Sequence, residues 1–494
     1  MKLTETKFDN FRCFKHYELK YGIETTVFIG KNGTGKSSVL SGIRRGLSFM
    51  FAKSKNHQKN LSISNNAKVK SFGKFEANFD SYSRNFNYPI NNTFKAIYNN
   101  TDIEWAMVKN NMNGGLLTTQ YSEALNIALG FYNQDTENSL SLPVLAVITD
   151  SFPHQLINFG SKAKKIVYQD ILPRDLGYYG WDDRTNCLEL WLNRFYKVFS
   201  FERDIQHDIE KFEEQIFLFE KLIDNKDKYD YDKVPEWKER IKKLKSNLYH
   251  LQNDTRRKDF LKEKDYIQNK LIKFTEPLSK TYNFINDEFE LFRISINRLN
   301  KEDFSLEFTF KDSRSITFDT LPMGYKRMFS MVIDIAYRSY ILNQGIESNG
   351  VVLIDEIELH LHPTLQQEIL QRLRITFPNI QFIVTTHSPL VISNFKTDSN
   401  NKIIKLEHDR NDYYNEEVDN IYGIDYNTGL TEVMGARYRQ SELEKLIDSI
   451  VILTKFGKLE QASQIKTELI DIAGRNNKYL ESEINKRLKQ NNKA

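Results

Sequence analysis

The sequence has little cysteine and no long apolar run, and each absence excludes a class of protein. Only Cys13 and Cys187 occur in the 494 residues, which excludes a disulfide framework and suits a reducing compartment. No stretch approaches the roughly 18 consecutive apolar residues of a membrane span, and the first residues lack a basic-then-apolar signal pattern. We therefore expect a soluble cytoplasmic protein with no membrane partner.

An excess of charge of one sign is also missing. Lys and Arg total 70 against 66 Asp and Glu, which gives a net charge of +4. This balance neither indicates nor excludes a nucleic-acid partner, because a local basic face is compatible with it. The length exceeds that of one simple core, so two or three structural units are expected.

A glycine-rich segment follows a short apolar strand near the start of the chain. Residues 30–37 read GKNGTGKS, which fits the pattern G-x-x-x-x-G-K-[ST], and residues 38–50 have helical spacing. The order strand, loop, helix predicts a phosphate-binding loop for ATP, whereas the alternative is a plain glycine turn. Lys36 is predicted to reach the β- and γ-phosphates, and Ser37 to ligate Mg²⁺. The other predicted nucleotide contacts are Gly30, Asn32, Gly33, Gly35 and Ser38.

Two acidic residues follow the most apolar strand of the second half of the chain. Asp355 and Glu356 come directly after Gly350–Ile354, at the strand end where ligands of α/β sheets bind. We predict that Asp355 holds Mg²⁺ and that Glu356 orients and deprotonates the attacking water. His387 follows the next strand and is predicted to donate a hydrogen bond to the γ-phosphate. The alternatives are a solvated acidic strand end and a structural histidine.

Two further patterns invite a metal or nuclease interpretation that we do not favour. His360 and His362 form an H-x-H pair, but no cysteine or carboxylate cluster completes a zinc site, so packing or phosphate-side contacts are preferred. Asp230 and Asp232 form a D-x-D pair in a turn-prone link, and no D-x-D follows His387. Nuclease activity of this chain itself is therefore not expected.

Helical periodicity dominates the middle and the end of the chain. Apolar residues recur with heptad spacing over 205–223 and 237–251, and the link between them contains Pro235, which predicts an antiparallel hairpin about 30 Å long. Two amphipathic helices are predicted after residue 430, and the charged tail from Lys478 is expected to fray. The predicted divisions are the first part of an ATPase head with a side lobe, a hairpin insertion, the second part of the head and a helical region: 1–200, 201–300, 301–425 and 426–494.

The glycine loop, the Asp-Glu pair and the Thr-His pair together resemble the ABC-type ATPases that include Rad50, RecF and SMC proteins. The resemblance covers about residues 1–50 and 300–395 and implies an α/β fold, an ABC-type P-loop ATPase head with a short helical (coiled-coil) hairpin insertion and a helical C-terminal region. It places Leu321–Lys326 at the signature helix, so Gly324, Tyr325 and Lys326 would cap nucleotide held by a second subunit. Pro322 replaces the expected serine.

The same resemblance carries two weaker implications for the site. Residues 10–14, NFRCF, are similar to the start of RecF-like and OLD-like ATPases, which implies that Arg12 approaches the nucleotide. A glutamine loop is also implied, and Gln120 is one candidate.

The short insertion, Leu142–Val144, Gly324–Arg327 and Met434–Arg437 most resemble the PtuA-type ATPases of Septu and retron anti-phage systems. That resemblance implies a homodimer through the ATP sites, a higher oligomer, and an HNH partner nuclease of the PtuB type. In a retron, a reverse transcriptase and its DNA–RNA product would join. Two alternatives stay open: a RecF/SMC-like DNA repair ATPase that binds DNA directly, and an AriA-like ATPase that holds a Toprim nuclease.

Overall fold

A computed structural model describes most of the chain, namely residues 1–51, 69–117, 141–149, 165–182, 187–224, 231–278, 289–298, 304–409, 412–419, 421–436, 441–473 and 478–490. Its strands are β1 (Lys2–Phe11), β2 (Phe14–Lys20), β3 (Thr25–Ile29), β4 (Phe79–Asp80), β5 (Asn85–Phe86), β6 (Ile90–Tyr98), β7 (Thr101–Lys109), β8 (Val144–Ile148), β9 (Leu291–Arg298), β10 (Phe304–Phe310), β11 (Ser315–Thr317), β12 (Gly350–Ile354), β13 (Ile380–Thr385), β14 (Asn401–His408) and β15 (Tyr413–Glu417). Its helices are α1 (Lys36–Leu47), α2 (Cys187–Asp224), α3 (Val234–Gln252), α4 (Thr255–Thr275), α5 (Met323–Asn343), α6 (Pro363–Thr376), α7 (Pro389–Ser393), α8 (Tyr426–Thr428), α9 (Ser441–Lys455), α10 (Leu459–Ala473) and α11 (Lys478–Gln490).

A six-stranded sheet forms the centre of the head, in the order β15-β14-β3-β13-β12-β8. All neighbours are parallel except β15, which runs antiparallel to β14. Strands β3, β12 and β13 are buried at every residue, which explains why their sequences carry no charge and do not alternate between apolar and charged residues. The predicted α/β P-loop head is confirmed, and the carboxyl ends of these three strands meet at one edge of the sheet.

An antiparallel side lobe packs on the first helix of the head. Its sheet has the order β2-β1-β6-β7, and the two-residue strands β4 and β5 form a separate pair. A Cβ on Gly46 would lie 2.3 Å from the ring of Phe94, and one on Gly42 would lie 2.5 Å from Phe8. The two glycines of α1 therefore permit the close contact between the phosphate-loop helix and the lobe.

The helical insertion is more elaborate than the predicted hairpin. Helix α2, of 38 residues, contains the first predicted arm of the hairpin, and α3 returns beside it with Lys245 Nζ 2.7 Å from Glu220 Oε1. The returning segment is two helices. Helix α3 ends at Gln252, and the Asp254 carboxylate caps the next helix, α4, by accepting from the Arg256 amide at 2.8 Å. The two predicted helices are present as α2 and α3, and α4 is a third helix that was not predicted; Asp230 lies outside the described residues.

Helix α4 returns the insertion to the head. The buried Arg194 of α2 and Glu263 of α4 form a paired contact, with Nη2 2.8 Å from Oε2. Arg372 of α6 donates to the Phe274 carbonyl at 2.9 Å. None of the helices in the described ranges has both the length and the apolar character needed to cross a lipid bilayer.

The chain divides into two compact units, residues 1–423 and 424–494. In the second unit α9, α10 and α11 surround a core of Ile447, Ile450, Leu469 and Ile484. The two predicted helices are present, but the tail expected to fray is the helix α11, so that expectation is wrong. Its Arg487 is paired with Glu444 and Asp448 of α9, which fixes the charged helix in place.

Candidate nucleotide site

A cleft of about 270 Å³ lies at the carboxyl edge of the central sheet. Four segments that are distant in sequence form it: the turn between β1 and β2, the loop between β3 and α1, the turn after β12 and the turn after β13. The described residues that line it are Cys13, Asn32, Gly33, Gly35, Lys36, Ser37, Ser38, Asp355, Glu356 and His387. Nine of these ten were predicted from the sequence as site residues, and Cys13 was not.

The glycine loop has the backbone conformation that a phosphate cradle requires. Gly33 and Gly35 have φ angles of 86° and 96°, in the left-handed region that other residues rarely adopt. Lys36 Nζ donates to the carbonyl oxygens of Gly30 at 2.7 Å and Lys31 at 3.0 Å, so the amine lies across the inside of the loop. Burial lowers the pKa of Lys36, while the nearby carboxylates of Asp355 and Glu356 oppose this shift.

The hydroxyl of the loop serine and the first carboxylate after β12 face each other. Ser37 Oγ donates to Asp355 Oδ2 at 3.2 Å, although 318 positions separate the two residues in sequence. Thr385 at the end of β13 donates from Oγ1 to Asp355 Oδ1 and accepts from the Glu356 amide at 2.8 Å. Hydroxyl and carboxylate oxygens suit Mg²⁺, which usually keeps waters and phosphate oxygens as its remaining ligands. This donor pair therefore fits a magnesium ion bound with a nucleotide.

The backbone of the turn that carries Glu356 is hydrogen-bonded by a buried arginine. Glu356 has a φ of 50°, a left-handed value that is uncommon outside glycine. Arg327 of α5 has no exposed surface and donates to the carbonyls of Thr149 at 3.1 Å, Asp355 at 3.2 Å and Glu356 at 3.2 Å. The backbone beneath the two acidic residues is therefore fixed by a charged donor, a role that the sequence analysis did not assign.

The loop after β13 is anchored by a second unpredicted residue, Glu358. Its carboxylate accepts from the hydroxyl of Thr386 at 2.7 Å and from the amide of His387 at 2.5 Å. His387 itself is exposed at the cleft. The position of Glu358, three residues after Asp355, was the available signal. His362 caps helix α6, with Nδ1 2.8 Å from the hydroxyl of Thr364.

The remaining predicted residues lie outside this cleft. Arg12 Nη2 is 2.9 Å from Glu76 Oε1, and only its neighbour Cys13 lines the cleft. Gly324 begins α5 against the His360 carbonyl, where an added Cβ would approach to 2.5 Å. The Tyr325 ring packs 5.1 Å from Phe289, and Lys326 Nζ lies 5.4 Å from the Phe318 ring. The candidate Gln120 is outside the described residues.

Comparisons with known proteins match the chain to ATPases. The family model of the AAA ATPase domain matches residues 1–392. The chain is 29% identical over 402 residues to the Retron Vc95 probable ATPase of Vibrio cholerae serotype O1 biovar El Tor, which covers 78% of this chain and 70% of that protein. It is 31% identical over 147 residues to the Septu protein PtuA of Bacillus mycoides (strain KBAB4), covering 30% and 20%. The solved Smc head domain derived from Pyrococcus furiosus has 14% identity and a TM-score of 0.40, covering 85% of this chain and 96% of that one.

Proposed function

This chain belongs to the AAA ATPase domain family, and from that membership we propose that it is the ATP-hydrolysing subunit of an anti-phage defence complex. The resemblance to retron and Septu ATPases is confirmed by relatives with those names. The chain itself has no D-x-D pair after His387, so in our proposal a separate partner protein is the nuclease. The ATPase scaffolds this nuclease and restrains it. An HNH nuclease is the favoured partner, and a reverse transcriptase with its DNA–RNA product joins in a retron setting.

The single observation that carries the ATPase proposal is the contact between Ser37 and Asp355 in the cleft. Bound Mg²⁺-ATP supplies the reactive phosphoryl group and a cation that neutralises its charge. Lys36 and the loop amides hold the phosphates, and Ser37 with Asp355 holds the metal. Glu356 orients the attacking water and accepts its proton, while His387 donates a hydrogen bond toward the γ-phosphate.

We further propose that two copies complete each site. The residues at the start of α5 lie outside the cleft of their own chain, yet the amino end of a 21-residue helix suits an anionic ligand. The nucleotide of one copy would therefore face Gly324, Tyr325 and Lys326 of the other copy. Arg12 would approach that nucleotide from the chain whose phosphate loop binds it. Pro322 at the start of this helix provides no hydroxyl, so the contact relies on backbone amides.

The test of the ATPase proposal compares three variants with the wild type. Lys36→Ala should abolish nucleotide binding, whereas Glu356→Gln should bind ATP, accumulate as a dimer and lose about 100-fold or more in turnover. Lys238→Ala on α3 is the matched control, because its side chain is exposed and does not line the cleft. Phosphate release, binding of a fluorescent ATP analogue and light scattering provide the readouts. Equal turnover by wild type and Glu356→Gln would refute the assigned base.

The partner proposal needs a separate experiment on the native complex. The chain is expressed with its neighbouring genes, purified through a tag, and its mass and nuclease activity are measured. We expect an HNH protein in the complex and DNA cleavage only by the complex. Recovery of a Toprim protein instead, or DNA cleavage by this chain alone, would contradict the proposal.

A further inference from the structure

A second cavity, of about 830 Å³, lies away from the nucleotide cleft, between the helices α2 and α4 and the strand β9. Its volume is in the range of cavities that bind ligands. The residues that define its character are Phe199, Lys264, Arg293, Ile294, Ser295 and Ile296. We refer to this cavity as the β9 groove.

The β9 groove runs along the edge of a strand rather than across its face. Strand β9 is the outer strand of the sheet β11-β10-β9, and within the described ranges it pairs only with β10. The four consecutive residues 293–296 all line the groove. Because successive side chains of a strand point to opposite faces, four in a row can line one cavity only if it follows the backbone edge. Apart from the Leu291 amide, which donates to the Thr275 hydroxyl at 3.1 Å, the edge N–H and C=O groups are available to another extended segment.

The charges of the groove favour an acidic segment. Three acidic residues line the groove, and each has a partner: Glu202 lies 3.2 Å from Arg257, Asp204 lies 3.0 Å from Arg203, and Glu210 accepts a hydrogen bond from the Gln206 amide at 3.2 Å. In the described part of the chain, no acidic residue pairs with Arg293 on the strand or with Lys264 on the opposite helix wall. Lys264 instead lies 5.0 Å from the Phe199 ring.

We propose that the β9 groove binds an acidic, extended segment of a partner protein, which joins the sheet as a fourth strand beside β9. The backbone of the segment pairs with the edge of β9, as in other cases of strand addition. Its acidic side chains meet Lys264 and Arg293, and its alternate apolar side chains contact Ile294 and Ile296. The eight residues of β9 span about 26 Å, enough for a segment of about seven residues. This proposal does not depend on nucleotide hydrolysis.

The charge requirement is tested with two fluorescent seven-residue peptides, one alternating Glu and Val and the other alternating Lys and Val, added to the full chain. We expect the Glu peptide to bind the wild type and the Lys peptide not to bind. Arg293→Glu should weaken binding of the Glu peptide about fivefold, and adding Lys264→Glu should reverse the preference. Lys238→Glu on α3 is the matched control, since it makes the same charge change on an exposed residue outside the groove. Equal affinity of both peptides for the wild type would overturn the proposal.

Strand addition is tested separately from charge. Hydrogen exchange of residues 291–298 should slow when the Glu peptide is added. Two N-methylated forms of the Glu peptide are compared, one methylated on every Glu and the other on every Val. Because the amides of alternate residues point to the same edge of a strand, each form lacks the N–H donors of one edge, and the form that lacks them on the edge facing β9 should fail to bind. Binding of both methylated peptides, or no change in exchange, would exclude an added strand. A concentration-dependent self-association that Arg293→Glu abolishes would identify a second copy as the occupant and would also overturn the proposal.

Discussion

Replacing Arg327 by methionine should reduce both the stability of the head and its ATP turnover. The side chain is fully buried, and its guanidinium donates to the carbonyls of Thr149, Asp355 and Glu356. Methionine fills a similar volume but leaves these three acceptors without that donor. The backbone under both acidic residues then loses the group that fixes it.

The size of the stability effect follows from the three lost bonds. At about 1–1.5 kcal/mol for each bond, the loss is about 3–4 kcal/mol. The unit of residues 1–423 has an unfolding entropy of about 0.9 kcal/mol per kelvin at its midpoint. The melting temperature should therefore fall by about 4 °C.

Arg338→Met is the matched control for Arg327→Met. Arg338 lies on the same helix and is equally buried, and it donates to Asp334 at 2.8 Å and to the carbonyls of Gly177 and Tyr179 at 2.9 Å. Thermal unfolding should show a loss of stability in both variants. At a temperature where both are folded, phosphate release should fall about tenfold or more in Arg327→Met only, because a misplaced general base loses much of its catalytic contribution. Equal turnover in the two variants would refute the role given to Arg327.

Three further outcomes are expected. Thr385→Val should lower turnover about tenfold with little change in ATP affinity, because the hydroxyl orients Asp355 and Glu356; a loss of affinity alone would contradict this. Burial opposes ionisation of Glu76, yet Arg45 and the Gly73 amide hold its pKa below the ordinary 4.5. Glu76→Gln should therefore lower the melting temperature at pH 7, and the difference should shrink as the pH falls through 4.5, whereas a constant difference would argue against the ion pair. Ile484→Ala should cost the C-terminal unit about 2–4 kcal/mol, seen as earlier loss of helical circular dichroism, and an unchanged melt would mean that α11 is not packed on its core.

The central sheet and the cleft were predictable because their signals are local. Strand β12 is apolar throughout and is followed at the sheet edge by Asp355, and β3 ends in three apolar residues followed by the glycine loop, so both strands and the residues after them could be predicted directly. The strands β14 and β15 were missed. Lys402, Lys405 and Glu407 interrupt the apolar run of β14, and four of the five residues of β15 are exposed.

Tertiary contacts explain the other omissions. The helix break before α4 has no glycine or proline, and only the capping carboxylate of Asp254 reveals it. Helix α11 places apolar residues at Leu480, Ile484 and Leu488, but charged neighbours conceal this spacing of four. Arg327 acts through backbone carbonyls of distant segments, and no spacing in the sequence encodes such a contact, whereas the position of Glu358 three residues after Asp355 was a usable signal. The predicted division into four regions stays a prediction.

Helix α5 is pinned at two depths by buried guanidinium groups. Arg327, in its first turns, donates to the strand edge that carries Glu356. Arg338, in its later turns, donates to Asp334 of the same helix, and the other carboxylate oxygen of Asp334 accepts from Trp191 near the start of the long helix α2. The two arginines are about 16 Å apart along the axis. Rotation or translation of this helix alone would break several charged bonds at once, so we expect the strand edge at Glu356, helix α5 and the start of α2 to move as one body.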